Sequence, residues 1–268
     1  MKRLSSRDNP GFKHLKALNE EARYRRETGH SLIDGDHLIR AAFEADWPVK
    51  RLVLREDRVE TDLAKELLAL APTAPDEVLV LSEALFKAIS PVVTPSGVLA
   101  EIACQPREAQ APTKGDVLAL AGIQDAGNLG TLLRSAAAAG VREVWLDRNT
   151  TQAWSPKALR AGMGAQFQLR IEEACDLAAR FREDGRPCRV TCLEPDSVPL
   201  FSLNLRGPGI WVFGAEGQGV PSDLIALARE RIVIPMPGRM ESLNVSAAAA
   251  VCLFEAVRQR QLFEQEGV

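Results

Sequence analysis

The chain has 268 residues, 46% hydrophobic and 26% charged, so its composition is globular and its length allows one large domain or two of ordinary size. Its net charge of −3 gives no global basic signature, so a surface for nucleic acid would have to be a local patch. Five cysteines without a CxxC pair argue against a metal site or a disulfide framework. The sequence has no leader-like segment and no apolar run long enough to span a bilayer, which predicts a protein of the reducing cytoplasm with no membrane partner.

Residues 1–30 are polar and rich in Arg and Lys, and we interpret them as a basic N-terminal extension. Leu15, Leu18 and Ala22 have the apolar spacing of a helix. The basic residues form either a solvated helix face or a patch for RNA phosphates, and the two alternatives are equally supported. Our candidates for such a patch are Arg7, Lys13, Arg25 and Arg26.

Residues 31–104 alternate between helical and strand-like patterns, which predicts a compact α/β unit. The predicted elements are a helix at 37–45, a strand at 49–55, a helix at 62–70, a strand at 78–81, a helix at 83–89 and a strand at 98–104. Residues 105–115 contain two prolines, three charges and no large apolar side chain, so we interpret them as a linker between two domains.

Residues 116–268 are predicted to form a second α/β domain. Its expected strands are 117–123, 143–146, 167–171, 188–193, 210–213 and 232–234, and its expected helices are 129–139, 156–161, 173–184, 222–228 and 245–264. Because the strands are continuous apolar runs and most are followed by a helix, they indicate a parallel sheet covered on both faces.

Three loops of this domain share one construction, and the first follows the strand 117–123. Asp125 and Asn128 supply turn chemistry, Asn128 can cap the next helix, and Gly140 can end it. Arg134 is the only charge within 129–139, and its neighbours at helical spacing are small. That pattern favours a guanidinium aimed at an anion, while a surface arginine that reaches solvent is the alternative.

The second loop runs from a strand into three glycines, at positions 214, 217 and 219. It lacks the GK[ST] of a P-loop and the position of a Rossmann fingerprint, so phosphate cradling explains it poorly. Glycines would let the backbone approach a ligand, with Glu216 as a hydrogen-bond acceptor. A plain tight turn is the alternative.

The third loop, within 231–250, joins a β-branched strand to a small-residue helix through a segment broken by Pro and Gly. Ile234, Met236 and Leu243 could frame an apolar ring, and Asn244 and Ser246 stand at the helix start. Strand ends of this kind are where α/β proteins usually bind small ligands. An ordinary connection with a capped helix is the alternative.

In their order and spacing, the segments 125–134, 213–220 and 234–246 resemble the three motifs of the SpoU/TrmH branch of SPOUT RNA methyltransferases. The resemblance covers about residues 116–268. It extends to 31–42, which is similar to the ribosomal-protein-like substrate-binding domain of that family. It implies a C-terminal parallel-sheet α/β domain with a deep trefoil knot, preceded by a smaller α/β domain at 31–104 that binds the RNA substrate.

The resemblance also implies a homodimer that uses S-adenosylmethionine to methylate a ribose 2′-hydroxyl of RNA, most readily ribosomal RNA, with transfer RNA as the alternative. The helix that follows the third motif is then expected to supply a dimer face. The implied cofactor-binding residues are Gly214, Glu216, Gly217, Ile234, Met236, Leu243, Asn244 and Ser246. The positions that match the family's reaction centre are Asn128, Arg134, Glu216 and Asn244.

Arginine, with a pKa above about 12, is a poor base, so we expect Arg134 to grip the phosphate beside the target ribose and stabilise alkoxide charge. Two positions depart from the family pattern: Ala126 replaces a usual proline and Gly162 a commoner serine, while Arg160 remains a candidate for phosphate binding.

A catalytically silent RNA-binding or ribosome-assembly protein is a second hypothesis, against which the intact reaction centre argues. An NAD-dependent dehydrogenase is excluded because the expected glycine fingerprint is absent.

Overall fold

The computed structural model of the chain describes residues 1–71, 77–104 and 114–266. The described residues fall into two compact units. The first unit contains the residues up to 104 together with Trp154–Phe167, and the second contains 114–153 and the residues from 168 onward. The predicted linker lies, as far as residue 113, outside the described residues.

Most strands along the chain are followed by a helix. The N-terminal elements are β1 (Lys2–Leu4), α1 (Pro10–Glu20), α2 (Ala22–Thr28), β2 (His30–Asp34), α3 (Asp36–Glu44), β3 (Val49–Arg55), α4 (Asp62–Leu70), β4 (Glu77–Leu81), α5 (Glu83–Ile89) and β5 (Val98–Ala103). They are followed by β6 (Val117–Ala121), α6 (Ala126–Ala138), β7 (Glu143–Asp147), α7 (Pro156–Gly162), β8 (Arg170–Cys175), α8 (Leu177–Asp184), β9 (Cys188–Thr191), β10 (Val198–Pro199), β11 (Ile210–Gly214), α9 (Ser222–Ile225), β12 (Glu230–Val233) and α10 (Val245–Glu266). Within the described ranges, no helix is long and apolar enough to cross a membrane.

The first unit is built on a five-stranded mixed sheet in the order β1-β4-β3-β5-β2. Strand β1 pairs in parallel with β4, and α1 buries Phe12, Leu15 and Leu18 in the core of this unit. The helix begins where the Asn9 side chain accepts a hydrogen bond from Gly11 N and proline occupies the first position. Residues 1–30 therefore belong to the fold of the first unit and do not form the extension that we expected.

A buried carboxylate ties two helices of the first unit to its sheet. Glu101 on β5 is fully buried, accepts hydrogen bonds from His14 and Arg51, and lies 3.0 Å from His14 Nε2. The other ring nitrogen of His14 lies 2.8 Å from the Tyr24 hydroxyl. Burial alone would raise the pKa of Glu101, but the hydrogen bonds and charges of its two partners outweigh burial and hold the pKa below its ordinary value.

The segment Trp154–Phe167, which we expected within the second domain, packs with the first unit. The Trp154 ring stacks on Trp47 with centroids 5.5 Å apart, and Ser31 Oγ donates a hydrogen bond to Trp154 O at 2.6 Å. A Cβ at Gly162 would lie 2.2 Å from Oε1 of Gln166. The glycine thus leaves space that the Gln166 side chain fills, which accounts for the missing serine.

The second unit contains a seven-stranded sheet in the order β10-β12-β9-β11-β6-β7-β8, and every pairing in it is parallel. The predicted parallel α/β fold is therefore confirmed. Central strands β6 and β11 are buried at every residue, as expected for strands inside a parallel sheet. The predicted strand 167–171 and helix 173–184 were misplaced, since β8 continues to Cys175 and Asp176 then caps α8 by accepting from Ala179 N at 3.0 Å.

Replacing Glu101 by alanine should lower the free energy of unfolding by about 1–3 kcal/mol, because His14 and Arg51 lose a buried acceptor. The pKa of Glu101 is lowered by folding, so its stabilisation is present above the unfolded value of about 4.5 and is lost as the pH falls through the folded value. Urea unfolding at neutral and acid pH should show the deficit shrinking in acid. The control is Glu66→Ala, which removes an exposed partner of Arg40. Equal losses in the two variants would contradict this account.

Candidate functional site

The three loops singled out in the sequence follow β6, β11 and β12 of the second unit. Because all strands of this sheet are parallel, their carboxyl ends lie at the same edge. Strand β11 lies between β6 and β9, and β12 pairs with the other side of β9. The sheet therefore collects loops that are far apart along the chain at the edge where α/β folds bind ligands.

The first loop enters α6 through a cap that we had assigned to the wrong residue. Asp125 is the N-cap, and its carboxylate accepts a hydrogen bond from Asn128 N at 2.9 Å. Asn128 stands within the first turn of α6, which leaves its side-chain amide available for other contacts. Gly140, at φ +82°, follows the end of the helix as predicted.

The three loops meet in a cluster formed by Asn128, Glu216 and Asn244. Glu216 Oε1 accepts hydrogen bonds from Asn128 Nδ2 at 2.8 Å and from Asn244 Nδ2 at 2.7 Å. The same amide of Asn244 lies 3.2 Å from Asn128 Oδ1. One carboxylate oxygen thus joins the loops after β6, β11 and β12, and we call these three residues the amide–carboxylate cluster.

Ser246 holds the start of α10 against the same cluster. Its hydroxyl donates to Asn128 O at 3.2 Å, and its backbone N–H donates to Asn244 Oδ1 at 2.9 Å. The Asn244 side chain therefore caps α10 with its oxygen and binds Glu216 with its nitrogen. Since the amide has only one orientation that satisfies both contacts, Asn244 is fixed in place.

The glycine loop after β11 folds back tightly on its own strand. Gly219 N donates to Ala215 O at 2.8 Å, and Gly217 and Gly219 adopt φ of +82° and +70°. A Cβ at Gly214 would lie only 2.1 Å from backbone atoms of Gly219. A side chain at position 214 would therefore displace the backbone beside Glu216.

A cavity of about 550 Å³ adjoins the cluster, a size within the usual range for small-molecule sites. Six of the eight cofactor-binding residues implied by the sequence line it: Gly214, Glu216, Gly217, Ile234, Met236 and Leu243. Asn244 and Ser246 do not line it but bind Glu216 and the Asn128 backbone at its margin. Glu216 belongs to both the cavity wall and the amide–carboxylate cluster.

The end of β9 and the segment after it supply cavity residues that sequence reasoning missed, namely Thr191, Cys192, Leu193 and Glu194. Strand β9 lies between β11 and β12, so its carboxyl end falls between two of the loops. The strand itself was predicted, but its position in the sheet was not. Without the strand order, the residues at its carboxyl end could not be assigned to the cavity. Glu194 and Glu241 add two further carboxylates to the cavity wall beside Glu216.

Arg134 lies on α6 six residues beyond Asn128, roughly 9 Å along the helix axis. Its side chain is exposed, and within the described residues its guanidinium makes no hydrogen bond or ion pair. The fold therefore leaves Arg134 outside the amide–carboxylate cluster and open to solvent, where a large anionic partner could reach it.

The basic candidates of the first unit have different surroundings. Arg7, Arg26 and Arg160 are exposed, and Lys13 lies 3.4 Å from the Asp8 carboxylate. Arg25 does not fit its predicted role: it is 7% exposed and donates to Leu18 O at 2.8 Å. Its guanidinium satisfies carbonyls at the end of α1, so Arg25 is a structural residue and not part of a phosphate patch.

The parallel sheet and the cavity at its carboxyl edge define the second unit as a ligand-binding α/β domain. Residues 116–254 match the model of the SpoU rRNA methylase family, and residues 9–100 match that of the MRM3-like substrate binding domain. The chain belongs to the SpoU rRNA methylase family.

Several relatives and solved structures of this family align with nearly the whole chain. The chain is 32% identical to a protein of Synechocystis sp. named as a tRNA/rRNA methyltransferase, over 96% of this chain and 94% of that protein. It is 29% identical to the 23S rRNA (guanosine(2553)-2′-O)-methyltransferase RlmP of Bacillus subtilis, over 95% and 98%. It is also similar to an AdoMet-bound rRNA methyltransferase of Sinorhizobium meliloti, with a TM-score of 0.80, 29% identity and coverage of 96% and 97%.

Proposed function

We propose that this protein is an S-adenosylmethionine-dependent methyltransferase that modifies a ribose 2′-hydroxyl of ribosomal RNA. The observation that carries the proposal is the amide–carboxylate cluster, which unites the three motif loops beside a cavity of ligand size. The full-length similarity to RlmP of Bacillus subtilis, whose name specifies 23S rRNA and 2′-O-methylation, supports the same substrate class.

The cavity has the chemical character that S-adenosylmethionine requires. Ile234, Met236 and Leu243 offer apolar surface for the adenine, while Glu194 and Glu216 offer negative charge to a cation. The S. meliloti structure, which aligns with 96% of this chain, has AdoMet bound. When bound, the cofactor supplies a methyl group activated by its sulfonium. We assign the eight residues named from the sequence to its binding, with Asn244 and Ser246 acting through their neighbours.

The residues of the chain then have to position the ribose and ease proton loss from a weak nucleophile. Asn128 and Asn244 hold the Glu216 carboxylate in one orientation at the cavity wall. Arg134, exposed and without a partner among the described residues, grips the phosphate beside the target ribose and stabilises the developing alkoxide. The phosphate or a water molecule takes the proton.

The proposal includes a homodimer, a trefoil knot in the second unit and action in the cytoplasm. Helix α10 packs against α6, and one side of α10 buries small and apolar residues such as Ala249, Leu253 and Ala256. Its other side exposes Phe254 by 46% and Leu262 by 45%, which supports a dimer face on α10. Arg7, Lys13, Arg26 and Arg160 remain candidates for contact with RNA phosphates.

The direct test of this function is a map of 2′-O-methyl groups in total RNA from cells with and without the protein. We expect at least one ribosomal RNA ribose to lose its methyl group when the protein is absent. A change confined to transfer RNA would contradict the ribosomal assignment. No change at any ribosomal or transfer RNA position would refute the enzyme activity.

Replacing Arg134 by lysine should lower kcat by about 10²-fold, because lysine keeps the charge but loses the planar fork that grips a phosphate. Calorimetry should find S-adenosylmethionine binding unchanged, since Arg134 does not line the cavity. The matched control is Arg182→Lys on α8, an exposed arginine of the same unit. Near-normal turnover by Arg134→Lys would rule out bidentate gripping.

A further inference from the structure

The cavity of the second unit is lined by carboxylates that come from three neighbouring strand ends. Glu194 lies in the segment after β9, Glu216 in the loop after β11 and Glu241 in the loop after β12. Strand β9 pairs with both β11 and β12, so the three segments are neighbours at the carboxyl edge of the sheet. Each of them therefore adds one acidic side chain to the lining of the same cavity.

The protein leaves the charge of this lining uncompensated. None of the described residues that line the cavity is Lys, Arg or His. Within the described ranges, Glu194 and Glu241 form no ion pair. Glu216 accepts hydrogen bonds from the side chains of Asn128 and Asn244, which are neutral donors. The cavity thus combines apolar surface with negative charge.

The turn that carries Glu194 is held by its own hydrogen bonds. Ser197 N donates to Glu194 O at 3.0 Å, and Ser197 Oγ donates to Cys192 O at 3.3 Å. Arg231 on β12 forms an ion pair with Asp196, the residue between the two ends of the turn, and does not pair with Glu194. The backbone is therefore fixed beside the cavity while the Glu194 carboxylate stays unpaired.

A cavity with this charge favours a cation over a neutral ligand of the same shape. S-adenosylmethionine carries a sulfonium and an ammonium group against one carboxylate, so it has one net positive charge. Methyl transfer breaks the bond between sulfur and the methyl carbon, leaves the electron pair on sulfur and yields a thioether. The product, S-adenosylhomocysteine, therefore has nearly the same shape as the methyl donor but no net charge.

We propose that Glu194 and Glu241 make the cavity selective for the positively charged methyl donor over its neutral product. Their charges attract the sulfonium form and have little effect on the thioether, so methyl transfer itself weakens binding and promotes exchange of product for new cofactor. Glu216 adds to the same field but also holds the amide–carboxylate cluster together. This inference rests on the proposed function, because it concerns the methyl donor of that reaction.

Calorimetry on the full chain with three ligands measures this selectivity. S-adenosylmethionine and sinefungin, which has an ammonium group in place of the methylsulfonium, should each bind at least about tenfold more tightly than S-adenosylhomocysteine. An exposed charge pair contributes a factor of roughly three, and three carboxylates act together. Raising the salt concentration from about 0.05 M to about 0.5 M should reduce the preference, because salt screens exposed charges.

Two substitutions test the individual carboxylates. Glu194→Gln and Glu241→Gln should each lower the preference roughly threefold, and the double variant should retain no more than about a threefold preference. Its affinity for S-adenosylhomocysteine should stay unchanged, which would show that the cavity is intact. The matched control is Glu183→Gln, which removes an exposed carboxylate of α8 that does not line the cavity.

The outcomes separate charge selectivity from the enzyme activity. Equal affinities for the three ligands, a preference that salt does not reduce, or an equal loss in Glu183→Gln would overturn the selectivity even if the protein methylates RNA. Binding of none of the three ligands would overturn it as well. A preference that falls in the double variant but not in the control would support it, even if no methyl transfer to RNA were found and the proposed function failed.

Discussion

The candidate site depends on one carboxylate oxygen that accepts two amide hydrogen bonds. Glu216 Oε1 binds both Asn128 and Asn244, and through them it joins loops that begin more than a hundred residues apart. Each loop is short and rich in glycine or proline, so none would be held in one conformation by its own sequence. The shared acceptor fixes their mutual geometry.

This arrangement also gives the site two sides. Glu216 is part of the cavity wall, while Arg134 stands about 9 Å further along α6 and faces solvent. In the function we propose, the small methyl donor occupies the cavity and the large anionic substrate approaches from solvent. The amide–carboxylate cluster then lies where the methyl donor and the RNA must meet. Its two asparagine side chains are therefore important for the reaction although neither residue is buried.

The sequence was a good guide to the second unit for a physical reason. Buried parallel strands are continuous apolar runs, and their loops must carry glycines and capping residues, so the sheet and all three loops could be predicted. The hydrogen bond between Asn128 and Glu216 could not be predicted from the sequence. Asp125 and Asn128 can both cap a helix, so the sequence does not show which of the two side chains is used as the cap. Only the structure shows that Asp125 takes that role and frees the amide of Asn128.

Other features could not be predicted from the sequence. Hydrophobic periodicity identifies the buried face of a helix or strand, but not the element against which that face packs. The helical pattern at 156–161 was correct, yet α7 packs with Trp47 and Ser31 in the first unit. Arg25 looked like one more surface cation until it proved to be buried against the end of α1. The residues after β9 entered the cavity only through the strand order, which no local pattern encodes.

The most direct measurement of the central claim is a double-mutant cycle between Asn128→Ala and Asn244→Ala, read as kcat for RNA methylation. If the two amides act through one carboxylate, each single change already releases Glu216, and the double variant should be no more than about twofold slower than the worse single variant. If instead the two losses multiply, the amides act independently. That result would contradict a site organised around the shared oxygen of Glu216.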